Sequence, residues 1–75
     1  MKFGLFGGAS AQRGGVHRDS TQGYRDFIDY VVEAEELGYH SVFLVEHHFT
    51  GFGQVSASLN LLTYLAARTR RIRLG

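Results

Sequence analysis

The chain contains 75 residues, of which 44% are hydrophobic and 20% are charged, and its formal net charge is +1. This is ordinary globular composition, which argues against a disordered chain, and the near-neutral charge gives no electrostatic reason to bind nucleic acid. Because these residues include no cysteine, they hold no disulfide, cysteine-ligated zinc, iron–sulfur cluster or thiol nucleophile.

Neither a signal peptide nor a membrane span is predicted. The first eight residues carry one lysine and a short apolar patch that glycines interrupt, and no apolar run approaches the ~18 residues of a membrane span. We therefore expect a soluble cytoplasmic protein. Domains typically contain ~100–200 residues, so the chain has room for one domain or for part of one.

The first half of the chain predicts a strand, a loop and a helix. The strand covers residues 2–6, and Gly7 and Gly8 end it. Residues 9–22 are rich in glycine and polar residues and predict a loop. Helical spacing of apolar residues predicts a helix up to Leu37. Its apolar stripe is expected to contain Tyr24, Phe27, Ile28, Val31, Val32, Ala34 and Leu37.

The ends of this helix carry recognisable signals. Ser20 or Thr21 is suited to cap its start, and Asp26 is expected in or near the first turn. Gly38 stands where a helix commonly ends in a left-handed residue. Three acidic residues near the end are interpreted as a solvated face without chemistry: Glu33, Glu35 and Glu36.

The second half predicts another strand, a helix and the start of a third strand. Residues 41–45 are apolar on both faces, as in a parallel strand covered on both sides. The helix should run from Ser56 or Ser58 to Arg68, and residues 71–75 should open the third strand. The stripe of the helix is predicted to contain Leu59, Leu62, Leu65 and Ala66, broadened by Leu61 and Tyr64. Three arginines are interpreted as a solvated helix terminus: Arg68, Arg70 and Arg71.

The resulting β-α-β-α-β order predicts right-handed crossovers and a parallel sheet. Three parallel strands cannot close a barrel, and as an open sheet they leave edges and faces uncovered. Two explanations follow. The chain is the start of a larger α/β domain, which we favour, or another copy of the chain or a partner covers the sheet.

Two common motifs are absent. A Rossmann site needs G-x-G-x-x-G leading directly into a helix, whereas Gly4 lies inside the strand and the helix starts about fifteen residues later. No P-loop pattern exists. The segment 8–12 approaches the nucleophile elbow G-x-S-x-G, but Gln12 replaces the last glycine and a long loop follows.

The strongest functional signal is the sequence Glu46-His47-His48. It follows a buried parallel strand, and the carboxyl end of such a strand is where α/β folds bind ligands. Consecutive strand residues point to opposite faces, so His47 is expected on one side and Glu46 and His48 on the other. That arrangement is poor for gripping one metal ion, and no metal site is predicted. Each histidine also has a structural alternative, in which its ring simply bonds a backbone carbonyl.

Other ring-bearing residues carry weaker signals. His17 and His40 are expected at the surface, in the glycine-rich loop and before the second strand. Phe49 and Phe52 either form an apolar wall over a planar ligand or fill the core, and core filling is the better expectation for Phe49.

These residues resemble the N-terminal part of the bacterial luciferase-like monooxygenases, over nearly the whole chain. The most specific element is the run 46–50, Glu-His-His-Phe-Thr, after the apolar strand. Supporting matches are Met1-Lys2-Phe3-Gly4, the helix end at 35–39, Gly51-Phe52-Gly53 and Leu74-Gly75. The glycine-rich loop at 9–22 favours the broad oxidoreductase superfamily over light emission.

The resemblance implies a (β/α)8 barrel of which residues 1–75 are the N-terminal part. It implies that reduced FMN binds at the carboxyl face and reacts with O2 to a peroxyflavin that oxidises a small organic substrate, such as an aldehyde. His47 would lie beside the flavin as a catalytic acid, base or hydrogen-bond donor, and Glu46 and His48 would be its cofactor-binding neighbours. The parent would be a homo- or heterodimer supplied with reduced flavin by a flavin reductase.

Such a barrel takes ~250 residues, so we expect the 75 residues alone to be inactive. Two alternatives stay open. The parent is a flavin- or deazaflavin-dependent reductase of the same superfamily, which transfers hydride without oxygen, or the chain is a non-catalytic product that acts by self-association.

Overall fold

A computed structural model of the protein describes residues 1–9, 20–48 and 55–75. The elements are β1 (Gly4–Gly7), α1 (Ser20–Glu36), β2 (Ser41–Leu44), α2 (Ser58–Arg68) and β3 (Arg73–Leu74). The predicted β-α-β-α-β order is therefore confirmed. Residues 20–22 belong to α1 rather than to the predicted loop, and the rest of that loop from 10 to 19 lies outside the described residues.

The three strands form one parallel sheet in the order β1-β2-β3. Leu5 lies opposite Val42, and Val42 lies opposite Leu74. Because each strand pairs with the next one along the chain, both crossovers step in the same direction. Right-handed crossovers of that kind place both helices on one face of the sheet.

The core lies between that face and the two helices. Val42 is 1% exposed and belongs to a cluster of buried apolar side chains, against which Leu5 and Leu74 pack. The buried apolar side chains are Ala9, Val31, Ala34, Val42, Val55, Leu61, Leu65 and Ile72. Neither α1 nor α2 combines the length and the apolar character that a membrane-spanning helix needs.

The opposite face of the sheet is open among the described residues. Phe6 and Phe43 are register neighbours on this face, and they are 79% and 51% exposed. The expectation that β2 is covered on both sides is therefore met on one side only, because both described helices pack on the other side.

The apolar stripe of α1 is confirmed at its centre and wrong at its end. Val31 and Ala34 are buried, whereas Leu37 is 71% exposed because the helix has already ended at Glu36. Asp26 lies in the second turn rather than the first, where its Oδ1 accepts a 2.8 Å hydrogen bond from Nε2 of Gln22.

Gly38 ends α1 as predicted, with φ of 93°. The N–H of Gly38 donates to the carbonyl of Glu35, and the N–H of Tyr39 donates to the carbonyl of Ala34, both at 3.0 Å. This pair of bonds is the Schellman motif, which satisfies carbonyls that the last helical turn would otherwise leave without partners.

The phase of α2 differs from the prediction. Leu61 and Leu65 are buried, whereas Leu59 is 75% exposed and Tyr64 is half-exposed. Apolar residues surround most of this helix, so their spacing alone does not fix which side faces the core. Packing against the sheet selects the side of Leu61 and Leu65.

The prediction of a solvated acidic face is wrong for Glu35, although Glu33 and Glu36 are exposed. Glu35 is only 8% exposed. Its Oε2 accepts hydrogen bonds from the backbone N–H groups of Arg70, Arg71 and Ile72, at 2.7, 2.6 and 2.9 Å. These three bonds join the end of α1 to the segment before β3, at the amino end of the sheet.

Candidate functional site at the carboxyl end of the sheet

The segment Glu46-His47-His48 lies beyond the carboxyl end of β2. The chain stays paired with its neighbours up to this point. The N–H of Val45 donates to the carbonyl of Gly7 at 3.0 Å, and the N–H of Leu44 donates to the carbonyl of Gly75 at 2.9 Å. Since the strands are parallel, all three carboxyl ends meet at one edge, which is where α/β folds bind ligands.

Glu46 connects this edge to the start of α2. Its Oε1 accepts a 3.1 Å hydrogen bond from the N–H of Ser58 and a 2.8 Å hydrogen bond from the Oγ of Ser58. Ala57 occupies the N-cap position without a side-chain hydrogen bond. The Glu46 carboxylate therefore supplies an acceptor to the first turn of α2, where N–H groups have no partner within the helix.

The other carboxylate oxygen of Glu46 faces His48. The Nε2 of His48 lies 3.1 Å from Oε2. The hydrogen bonds from Ser58, followed by the contact with His48, lower the pKa of Glu46 from 4.5 to about 2. Glu46 is thus an anion throughout the neutral range, held between a helix N-terminus and an imidazole.

His47 lies between these two residues and is half-buried. Its backbone N–H donates to the carbonyl of Val55 at 3.1 Å, and its Nδ1 atom is buried. The contact between Glu46 and His48 confirms the prediction that these two side chains share one side. The alternation of an extended chain then favours the opposite side for the imidazole of His47.

Of the other histidine and phenylalanine residues singled out as weaker functional signals in the sequence, the structure describes only His40. His40 is half-buried rather than at the surface. Its N–H donates to Phe3 and its carbonyl accepts from Arg73, so its backbone ties the amino ends of the sheet together. The predictions for His17, Phe49 and Phe52 fall outside the described residues.

Sequence reasoning missed the part that Ser58 plays at this edge. It identified Ser58 as a possible helix start but not as the partner of Glu46. A usable signal was present, because a carboxylate at the end of one parallel strand lies near the N-terminus of the next helix, where the helix dipole favours an anion.

The surface beside the site combines aromatic and small residues. Phe6 and Phe43 expose their rings on the open face, and Gly75 lies against Phe43. A Cβ atom added to Gly75 would come within 2.7 Å of the Phe43 ring, whereas one added to Gly7 would meet nothing within 4 Å.

The described residues contain no group of three or more His, Asp or Glu side chains that is arranged to hold a metal ion. Two cavities lie along the flank between β1 and α1. One has a volume of about 340 Å³ and is bounded by Leu5, Phe6, Asp26, Phe27 and Tyr30, among others. A second, of about 210 Å³, extends it along Tyr30 and Leu37.

The fold and site together define a parallel α/β protein in which Glu46, His47 and His48 lie beyond the carboxyl end of β2. Comparison with known proteins identifies the class further. The whole chain, residues 1–75, matches the family of luciferase-like monooxygenases. The chain therefore belongs to the luciferase-like monooxygenase family, and the resemblance seen in its sequence is confirmed.

Three relatives illustrate this membership. The chain is 31% identical over all of its 75 residues to the alkanal monooxygenase beta chain of Photorhabdus laumondii, of which it covers 22%. It is 35% identical, again over 75 residues, to the uncharacterized protein y4vJ of Sinorhizobium fredii, of which it covers 21%. Over 42 residues, 56% of the chain, it is 54% identical to the N-acetyl-S-alkylcysteine monooxygenase of Bacillus subtilis, of which it covers 13%.

The chain thus spans about a fifth of the length of the curated relatives that it matches from end to end. No solved structure gives a significant match.

Proposed function

We propose that this chain is the N-terminal part of an FMN-dependent monooxygenase that oxidises a small organic substrate with O2, and that His47 is its catalytic residue. The observation that carries the proposal is the position of His47, directly beyond the carboxyl end of a parallel strand. Family membership supports the oxidoreductase class. Beyond this class, we propose FMN as the cofactor, O2 as the co-substrate and His47 as the catalytic residue.

The strand order supports a (β/α)8 barrel as the complete fold. In a doubly wound sheet the strand order reverses and helices cover both faces, whereas in a barrel each strand pairs with the next and the helices stay outside. The order β1-β2-β3 and the helices packed on one face follow the barrel pattern. Among the described residues no strand pairs with the outer edge of β1, and this edge and the cavities beside it leave room for a neighbouring strand and helix.

The open face would then become the barrel interior. Phe6 and Phe43 would line it below its carboxyl end, and Gly7, where an added Cβ atom would meet nothing within 4 Å, would leave space for a ligand. Glu46 and His48, whose side chains remain 45% and 52% exposed, would border the flavin at the mouth. When bound, reduced FMN supplies the reaction with O2 and the transfer of one oxygen atom to the substrate.

His47 would assist that transfer by holding or moving a proton. An imidazole is suited to this task because one ring nitrogen can donate a proton while the other accepts one. Burial of Nδ1 restricts the imidazole ring of His47. The hydrogen bond from the backbone N–H of His47 to the carbonyl of Val55 restricts its backbone. The apolar surfaces of Phe6 and Phe43 would exclude water, which otherwise diverts activated oxygen to hydrogen peroxide.

The proposal includes two partners. A flavin reductase, or another source of reduced FMN, would supply the cofactor. The full-length protein would form a dimer with itself or with a related chain, and the name of one relative, the alkanal monooxygenase beta chain, supports subunit association.

The test uses the full-length gene product with reduced FMN, air and two probe substrates, a straight-chain aldehyde and an N-acetyl-S-alkylcysteine. We expect one atom of labelled O2 in the product of at least one probe. His47→Gln should lower kcat by about 100-fold or more, which is the ordinary contribution of a positioned acid or base. His40→Gln is the matched control, because it makes the same change at the amino end of the sheet.

Two results would contradict the proposal. Substrate conversion that proceeds without O2 would assign the protein to the reductases of the same superfamily. If His47→Gln retained as much activity as the control His40→Gln, His47 would have no part in the reaction.

A further inference from the structure

The chain around His47 is connected to three separate parts of the molecule. Val45 donates to Gly7 at the end of β1, and His47 donates to Val55, which is 1% exposed and belongs to the core. Between them, the side chain of Glu46 binds Ser58, the first residue of α2. Each of residues 45–47 is therefore anchored by hydrogen bonds to a different part of the fold.

The link between Glu46 and Ser58 differs from the other two because it depends on side chains. Two donors of Ser58 converge on the same oxygen, Oε1, and the second oxygen is occupied by His48. A carboxylate held on two sides loses most of its rotational freedom. Charge-assisted hydrogen bonds of this kind are roughly twice as strong as those between neutral groups.

We propose that Ser58 is a positioning residue for the reaction: by holding the Glu46 carboxylate at the N-terminus of α2, it fixes the backbone that carries His47. This inference rests on the proposed function in assigning a reaction to His47. In this role Ser58 acts through its two hydrogen bonds to Glu46 rather than on the reacting groups.

The hydrogen bonds of Ser58 indicate how loss of its hydroxyl should change the reaction rate. Removing the Ser58 hydroxyl takes away the 2.8 Å bond, so that Oε1 of Glu46 keeps only the backbone N–H of Ser58 at 3.1 Å. The carboxylate then gains freedom, and so does the adjacent peptide of His47. A misplacement of about 1 Å at a reacting group can lower a rate by about 100-fold, so a loosened imidazole should lower kcat more than it changes KM.

The experiment compares three variants of the full-length gene product. Ser58→Ala removes the hydroxyl, and Ser58→Thr keeps it. Thr63→Ala is the matched control, since Thr63 is on the same helix and its hydroxyl bonds the carbonyl of Leu59 within that helix, also at 2.8 Å. Activity is measured with reduced FMN, air and the better of the two probe substrates.

We expect kcat to fall about 10- to 100-fold in Ser58→Ala, with KM for the substrate within about two-fold of the original. Ser58→Thr should restore most of the activity, and Thr63→Ala should retain it. In a Glu46→Ala background, Ser58→Ala should have little further effect, because the side chain that the hydroxyl holds is absent.

A second measurement reports on His47 directly. In protein labelled with 15N-histidine, the imidazole signals of His47 are assigned by comparison with His47→Gln. Ser58→Ala should shift or broaden them, and Thr63→Ala should not. This readout requires no turnover.

The two proposals can therefore fail separately. Unchanged His47 signals and unchanged kcat in Ser58→Ala would overturn the positioning role, as would a loss of activity that Ser58→Thr does not restore. Full activity of His47→Gln would overturn the proposed function instead, and the imidazole signals would then decide alone whether Ser58 positions His47.

Discussion

The carboxylate of Glu35 and the backbone N–H of Arg71 form a 2.6 Å hydrogen bond although 36 positions separate them in the chain. The neighbouring N–H groups of Arg70 and Ile72 donate to the same oxygen. Three consecutive backbone donors form a concave anion site of the kind that a turn creates. An anion from α1 thus satisfies donors that lead into β3.

We expect Glu35→Gln to destabilise the full-length gene product. The amide oxygen has no net charge, so its bonds to the three N–H groups are weaker than those of a carboxylate. The melting temperature should fall by several degrees. Glu36→Gln is the matched control, because Glu36 is the next residue and is exposed. Equal melting temperatures for the two variants would contradict the stabilising role.

The same contact predicts a pH dependence. The hydrogen bonds from Arg71, Ile72 and Arg70 lower the pKa of Glu35 from 4.5 to about 2. Since the folded protein lowers this pKa, the stabilisation is complete above the unfolded value of 4.5. It is lost as the pH falls from 4.5 towards 2.

Urea unfolding at a series of pH values checks this dependence. The difference in unfolding free energy between the original protein and Glu35→Gln should be constant from pH 7 to about pH 5.5 and should narrow below pH 4.5. A difference that instead widens as the pH falls would mean that the carboxylate is not the stabilising form.

The order of the elements was predictable from sequence because it depends on local signals. Gly8 follows β1 and Gly38 follows the end of α1, although β1 covers Gly4–Gly7 rather than the predicted residues 2–6, and apolar spacing identified both helices. The phase of α2 was not predictable, because Leu59 and Leu61 are both apolar and only packing distinguishes them. The burial of Glu35 was not predictable either, since its hydrogen-bond partners lie before β3, far from it in the sequence.

The candidate site divides in the same way. The sequence located Glu46, His47 and His48 at the end of a strand, and the period of two predicted that Glu46 and His48 share a side. It did not reveal that Glu46 binds Ser58, because that bond depends on how α2 returns to the sheet. Pairings across 12 positions arise from tertiary structure rather than from local preference.

Gly38 provides a test of backbone conformation without a packing effect. Its φ is 93°, and a Cβ atom added there would meet nothing within 4 Å. Gly38→Ala should therefore cost about 1–2 kcal/mol of unfolding free energy, from the left-handed conformation alone. Gly38→Asn should cost less, because asparagine adopts this conformation more readily. An alanine variant as stable as the original would show that α1 does not need this turn.

The two sides of α2 should respond differently to the same substitution. Leu65 is fully buried and Leu59 is 75% exposed. Leu65→Ala removes buried methyl groups and leaves a cavity, so it should cost about 2–5 kcal/mol. Leu59→Ala should stay within about 0.5 kcal/mol, as surface substitutions usually do. Urea unfolding of both variants measures the difference. If Leu59→Ala proved as costly as Leu65→Ala, the exposed side of α2 would have to pack against another part of the assembled protein.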